Sequence, residues 1–210
     1  MRGLTGCDIS HWETVADWGA VETEFCITKA SQGTEFVDPK FAEYWKGMKR
    51  VALRRGSFHF LEAQTESQGA VEARHYLHVL DTVGGLKPGD LTYCCDMESG
   101  STPAGAVGFI AEVKRLKPGA TVILYCSFSV IPQRTFWEFL KRKAKWCGGD
   151  FLWVARYGPA TGPGLLRWHI WQWTDEKGQG VEPHETVGIG RCDQDVVHGG
   201  QAKLERMTVE

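Results

Sequence analysis

Two acids one residue apart, Asp96 and Glu98, close the apolar run Leu91–Cys95 in the stretch LTYCCDMES. On an extended strand residues i and i+2 share a face, so both carboxyls point the same way. Neighbouring carboxylates resist double ionisation, and one of them keeps its proton near neutral pH. That places a general acid beside an anion. Glycoside cleavage needs such a pair: a proton for the leaving oxygen and negative charge beside an oxocarbenium-like centre. A lone D-x-E more often caps a helix or pairs with Lys or Arg. Two further acids shift that balance. Asp8 ends the first apolar run and Asp193 ends the last, in GRCDQD. Strand ends rarely carry acids for packing reasons, because a half-buried carboxylate is costly unless partnered.

The elements that must position these acids alternate. Short apolar runs at Leu4–Ile9, Phe25–Ala30, Gly56–Leu61, Leu91–Cys95 and Thr121–Cys126 read as strands. Helical spacing follows them at Val15–Val21, Phe41–Val51, Ala70–Val83, Ala106–Leu116 and Phe136–Trp146. Three further strand-like runs close the chain, Phe151–Ala155, Trp168–Trp173 and a short one near Ile189–Asp193. Strand–helix alternation predicts an α/β fold with a parallel sheet wrapped by helices. Five strand–helix units followed by three strands make an irregular, flattened β/α barrel, with an open doubly wound sheet as the competing fold. In a barrel the site lies where strands lead into helices, which is where the acids fall. Residues 1–210 read as a single catalytic domain: GPATGPG (158–164) is a loop between strands, and the polar tail after His198 reads as peripheral. The segment FWEFLKRKAKW (136–146) reads as a barrel helix with a buried aromatic face and a solvated basic one.

Composition narrows the classes. With 42% apolar and 24% charged residues the 210-residue chain is an ordinary globular one, and a net charge of −2 argues against nucleic acid. The N-terminal MRGLTGCDISHW lacks the apolar core of a signal peptide, and no run is long enough to span a membrane. Seven cysteines without such a signal read as small apolar filler in a reducing compartment, with adjacent Cys94 and Cys95 on opposite strand faces. There is no C-x-x-C pair, and His75 with His78 is an isolated H-x-x-H on a helix. Nine Trp suit a sugar cleft as well as a core.

Eight motifs, in order, carry a resemblance along nearly the whole chain: GCDISHW (6–12), ITKASQG (27–33) with VDPKF (37–41), GSFHF (56–60), DMES (96–99), ILYC (123–126), LWVARY (152–157), WQW (171–173) and CDQD (192–195). Together they resemble the glycoside hydrolase family 25 lysozymes, many of which are phage endolysins or bacterial autolysins. The resemblance implies a flattened barrel and hydrolysis of the β-1,4 bond from N-acetylmuramic acid to N-acetylglucosamine in peptidoglycan. It also implies no metal and no cofactor. It gives Glu98 the general acid/base role and makes Asp96 the partner carboxylate, with Asp8 and Asp193 as further cleft acids. Retention would come from the substrate's own 2-acetamido group, steadied by Asp96 or alternatively by Asp193. Tyr125 has a hydroxyl for the acetamido group or an acid, unless it only fills the barrel. Trp153 and Tyr157 offer aromatic faces for sugar rings, although Trp153 suits the core equally. The Gln172 amide would bind sugar hydroxyls or satisfy an acid, and Phe58 stands where the pattern usually has Tyr. His59 reads as an interior histidine. Departures are Cys7 for an aliphatic residue, Gln32 for a frequent Glu, and Asp195 for a frequent Asn, which adds an acid beside Asp193.

The expected protein is therefore a monomeric peptidoglycan hydrolase acting on glycan strands. It would be made in a host cytoplasm and reach the wall by holin-type release or on a phage particle. A degenerate wall-binding or virion structural module is the competing class, and an enzyme cutting chitin-like chains is a third.

Overall fold

The computed structural model describes residues 3–98, 100–131, 146–158, 162–163, 168–175 and 177–210. In chain order the first half holds β1 (Leu4–Ile9), β2 (Phe25–Gln32), β3 (Phe36–Val37), α1 (Phe41–Arg50), β4 (Arg54–Phe60), α2 (Glu66–Thr82), β5 (Tyr93–Met97) and α3 (Pro103–Leu116). The second half adds β6 (Val122–Ser127), β7 (Phe151–Ala155), β8 (Ile170–Thr174), β9 (Glu185–Thr186), β10 (Gly190–Arg191), β11 (Asp193–Val197) and α4 (Gln201–Glu205). Neighbouring strands run β1-β11-β8-β7-β6-β5-β4-β2, and β2 pairs back onto β1, so eight strands close a barrel. All these pairings are parallel except those of β11, which lies antiparallel between β1 and β8. The expected α/β barrel is what forms, and closure pairs each of these eight strands on both sides.

Side chains sort by the two-residue period. Facing inward are Phe25 and Ile27 of β2, Phe58 of β4, Cys94 of β5, Ile123 and Tyr125 of β6, and Phe151, Trp153 and Ala155 of β7. The intervening Cys26, Cys95, Met97, Leu124 and Cys126 pack outward with α1, α2 and α3. Cys94 and Cys95 thus serve two different cores, and all seven cysteines are free thiols. Gly6 lets β1 approach β2, since a Cβ there would lie 2.2 Å from the Phe25 ring. Thr65 and Gln68 form a capping box that starts α2, while Thr102 caps α3 ahead of Pro103. These two helices pack closely because Gly69 lies against the α3 backbone; a Cβ on Gly69 would sit 2.0 Å from the Gly105 carbonyl oxygen.

Three expectations need correction. Val15–Val21 is not an α-helix; only Trp18–Ala20 turns, as a 3-10 helix capped by Asp17. The run near Ile189–Asp193 is not the last barrel strand. Gly190–Arg191 pairs with Glu185–Thr186 in a separate small sheet, and the barrel strand begins at Asp193 instead of ending there. The segment after His198 is not peripheral: Leu204 of α4 and Met207 are buried with the barrel-lining residues. Backbone bonds from Thr92 to Met207 and from Val209 to Asp90 stitch that segment to the loop before β5. Of the segment Phe136–Trp146, residues 136–145 lie outside the described residues, as does most of the 158–164 loop.

Candidate active site

A cleft opens at the end of the barrel where the parallel strands finish. It is lined by Asp8 and Ile9 of β1, Ser10, Trp12 and Glu13 of the following loop, Lys29 of β2, and Phe58 and Phe60 of β4. Asp96 of β5, Glu98 just beyond it, Tyr125, Trp153, Gln172 and Asp193 complete it. The four acids expected to converge do so. Asp193 reaches this end because β11 runs antiparallel, which brings its first residue opposite Asp8, near the last residue of β1.

Asp96 and Glu98 share the inward face with Cys94, while Cys95 and Met97 point outward into the helix layer. Burial raises both carboxyls above their ordinary range, and the Glu98 charge raises Asp96 further. Lys29 draws both down, and a hydrogen bond from Tyr125 favours the ionised form of Glu98. The pair titrates as a unit and retains a proton well above the usual carboxylate range. Among the described residues no donor reaches Oδ1 of Asp96.

Gln172 ties the other acids together. Its Nε2 donates to Oδ2 of Asp8 at 2.8 Å and to Oδ2 of Asp193 at 3.0 Å. Its Oε1 accepts the hydroxyls of Tyr125 at 2.9 Å and Tyr157 at 3.0 Å. Both amide protons and both carbonyl lone pairs are therefore occupied, and the residue is 1% exposed. Of its two expected roles, satisfying acids is the one the geometry supports; binding a sugar hydroxyl is not. Trp153, 1% exposed, likewise cannot offer a stacking face. It forms the floor, edge-on to Tyr125 at 4.6 Å and near Phe58 at 6.3 Å, and its indole N–H donates to Asp195 at 2.7 Å. Tyr125 and Phe58 are buried beside it, whereas Tyr157 is 37% exposed.

Several cleft residues were not foreseen. Lys29 supplies the positive charge; burial lowers its pKa, and the charge of Asp96, ahead of Asp38, Glu62 and Glu98, opposes that. It follows Phe25 and Ile27 at two-residue steps, so its inward direction was readable, and β2 shifts register against β4 just beyond it. Phe60 follows Phe58 in the same way. Trp12 stands 81% exposed at the cleft, its ring tilted 36° to that of His11 at 4.6 Å. Asp38, from the VDPKF stretch, holds that loop through His11 Nδ1 at 2.7 Å and the His11 backbone N–H at 3.1 Å.

Ser31, His59 and Glu72 have the residue types of a nucleophile triad, with Ser31 Oγ 2.8 Å from His59 Nδ1 and Glu72 Oε2 3.0 Å from Nε2. All three are buried on the helix side of the sheet, and His59 stacks on Phe109. They are an interior bracket between β2, β4 and α2. Among the described residues no group of three or more His, Cys, Asp or Glu is arranged to hold a metal ion, and no helix is long and apolar enough to cross a membrane.

Residues 7–180 match the family model described as Glycosyl hydrolases family 25. Lysozyme M1 of Streptomyces globisporus is 22% identical over 192 residues, 82% of this chain and 62% of that protein. The chain thus spans less than two thirds of this relative. A bacterial lysozyme from Streptomyces coelicolor superposes with a TM-score of 0.74 at 22% identity, covering 99% of this chain and 98% of that one. The catalytic domain of endolysin ply40 from bacteriophage P40 of Listeria monocytogenes gives 0.74 at 23%, covering 98% and 97%.

Proposed function

Because the chain belongs to the glycosyl hydrolases family 25, we propose that it is a peptidoglycan hydrolase, a lysozyme cutting the β-1,4 bond from N-acetylmuramic acid to N-acetylglucosamine. The observation that carries this reading is the Asp96–Glu98 pair, set on the inward face of the cleft and holding a proton above the ordinary carboxylate range. Asp96 is the more strongly raised of the two; the productive state is the one in which Glu98 holds the shared proton and Asp96, facing Lys29, holds the charge.

The reaction proceeds in two steps. Glu98 gives its proton to the glycosidic oxygen as the bond to the anomeric carbon breaks. The carbonyl oxygen of the 2-acetamido group bonds to that carbon from the opposite face, and the acetamido N–H is steadied by Asp96. The unpartnered Oδ1 of Asp96 supports this assignment, since it is a buried acceptor left for a donor arriving with substrate. Water, losing a proton to Glu98, then attacks the anomeric carbon and displaces the acetamido oxygen, so configuration is retained. Tyr125 follows the proton. Its single phenolic hydrogen turns to Glu98 when that carboxyl is ionised, and Tyr157 meanwhile keeps the Gln172 carbonyl satisfied. Trp12 and the half-exposed ring of Tyr157 supply apolar faces for sugar rings.

The proposal includes one catalytic domain over residues 1–210, acting as a monomer on glycan strands. It also takes the enzyme to be of the phage endolysin type, made in a host cytoplasm and reaching the wall through a holin-type pore or on a phage particle. Seven free thiols, six of them buried, support synthesis in a reducing compartment. Glu98→Gln keeps the shape and removes the proton donor. Its rate of clearing a peptidoglycan suspension is expected to fall about 100-fold or more. Clearing at the wild-type rate would rule this mechanism out.

A further inference from the structure

Asp195 is an acid that the reaction above does not use. It is 0% exposed, two residues along β11 from Asp193, at the point where β11 shifts register against β8. Its Oδ1 accepts the Trp153 indole N–H at 2.7 Å. No donor among the described residues reaches its Oδ2. Asp195 lies opposite Gly6 of β1, two residues before Asp8, and opposite Gln172 of β8, so its carboxyl stands on the same inward face as that of Asp8, and Asp8 accepts from Gln172 through Oδ2. Each carboxyl therefore has one oxygen on a neutral donor, and the two stand side by side in the buried interior. Two ionised carboxylates cannot share a dry contact, whereas one proton between them satisfies both.

We propose that Asp195 is a positioning residue that shares one proton with Asp8 and so holds the Asp8 carboxyl against Gln172. The surroundings favour keeping that proton. Facing the pair are Asp193 and Cys192 from β11 and the turn before it, Cys7 of β1, Cys26 of β2, Cys94 of β5, Tyr125 of β6 and Tyr157 after β7. All of these are acids or neutral groups, while Lys29 is turned toward Asp96 and Glu98. Burial, and the charge of Asp195, lift Asp8 well above the ordinary aspartate value, and burial lifts Asp195. The folded protein thus binds a proton that the unfolded chain has already released. Stability conferred by the pair is present at low pH and drains away as pH rises from the ordinary aspartate value to the raised one.

The test compares Asp195→Asn with wild type in denaturant melts from pH 5 to pH 8.5. An amide at this position donates to Asp8 permanently and carries no proton to lose. The ratio of the two folding constants, variant over wild type, is expected to grow by up to about tenfold per pH unit across the window. A ratio that stays constant with pH overturns the proposal. This readout needs no activity, so it stands or falls separately from the hydrolase reading on which the second arm rests. In that arm Asp195→Asn keeps most of the wild-type kcat near neutral pH, whereas Asp195→Leu loses about tenfold or more in kcat with KM little changed. Equal kcat for D195L and wild type would likewise overturn it.

Discussion

Four groups from four different parts of the chain converge on the Gln172 amide: Asp8, Asp193, Tyr125 and Tyr157. An amide whose valences are all taken cannot also bind substrate, so its contribution to the reaction is the placement of acids. Replacing it by Leu leaves two carboxyls and two phenols short of a partner in a low-dielectric site. Gln172→Leu is expected to lower kcat about tenfold or more while KM stays within about threefold, measured by initial rates on soluble glycan fragments. A raised KM at unchanged kcat would show that the amide binds sugar after all. The individual acids were legible in the sequence because strand ends and the two-residue period fix where they point. Their wiring was not. That Gln172 serves acids, that Trp153 is floor, and that Asp195 stands beside Asp8 all depend on which strands lie side by side in a closed barrel. Lys29 escaped notice for a different reason: a lysine on a strand reads as solvated, although its spacing from Phe25 and Ile27 already placed it inside.

The strands were legible as elements because each carries its own apolar run, and β1 and β7 fall on the runs as read, Leu4–Ile9 and Phe151–Ala155. Direction was harder, since nothing local distinguishes an antiparallel strand from a parallel one. Hence the eighth barrel strand was placed too early, and Asp193 was taken for its end. The Val15–Val21 stretch has helical spacing, but Trp18 alone is buried and Asp17 caps only a short turn. At the far end of the barrel, α4 is only five residues long and mostly polar, which hid its role. The signal was the pair Leu204 and Met207, three apart, which are buried under the barrel-lining side chains. There too Arg55 makes a two-pronged bond to Asp90, at 2.7 and 3.0 Å, and stacks on Trp45. If α4 is a plug and not a tail, Leu204→Ala should cost about 2–5 kcal/mol in chemical denaturation. A change within about 0.5 kcal/mol, the size of an ordinary surface substitution, would return the segment to the periphery.

At the scale of the molecule, the barrel is a rigid frame whose closure brings residues as distant in sequence as Asp8 and Asp193 into one cleft. Two shifts in strand register, beyond Lys29 on β2 and at Asp195 on β11, fall beside this cleft. The frame therefore holds an acid pair over an anion-rich floor braced by Gln172 and Trp153. That arrangement suits the protonation of a glycosidic oxygen beside an N-acetyl sugar. The most direct test is a digest of purified peptidoglycan by the wild-type protein, followed by borohydride reduction and mass analysis of the products, with Glu98→Gln run in parallel. New reducing ends borne by N-acetylmuramic acid, formed by wild type and lost in the variant, are the expected result. Reducing N-acetylglucosamine ends, or equal product from both proteins, would contradict the account.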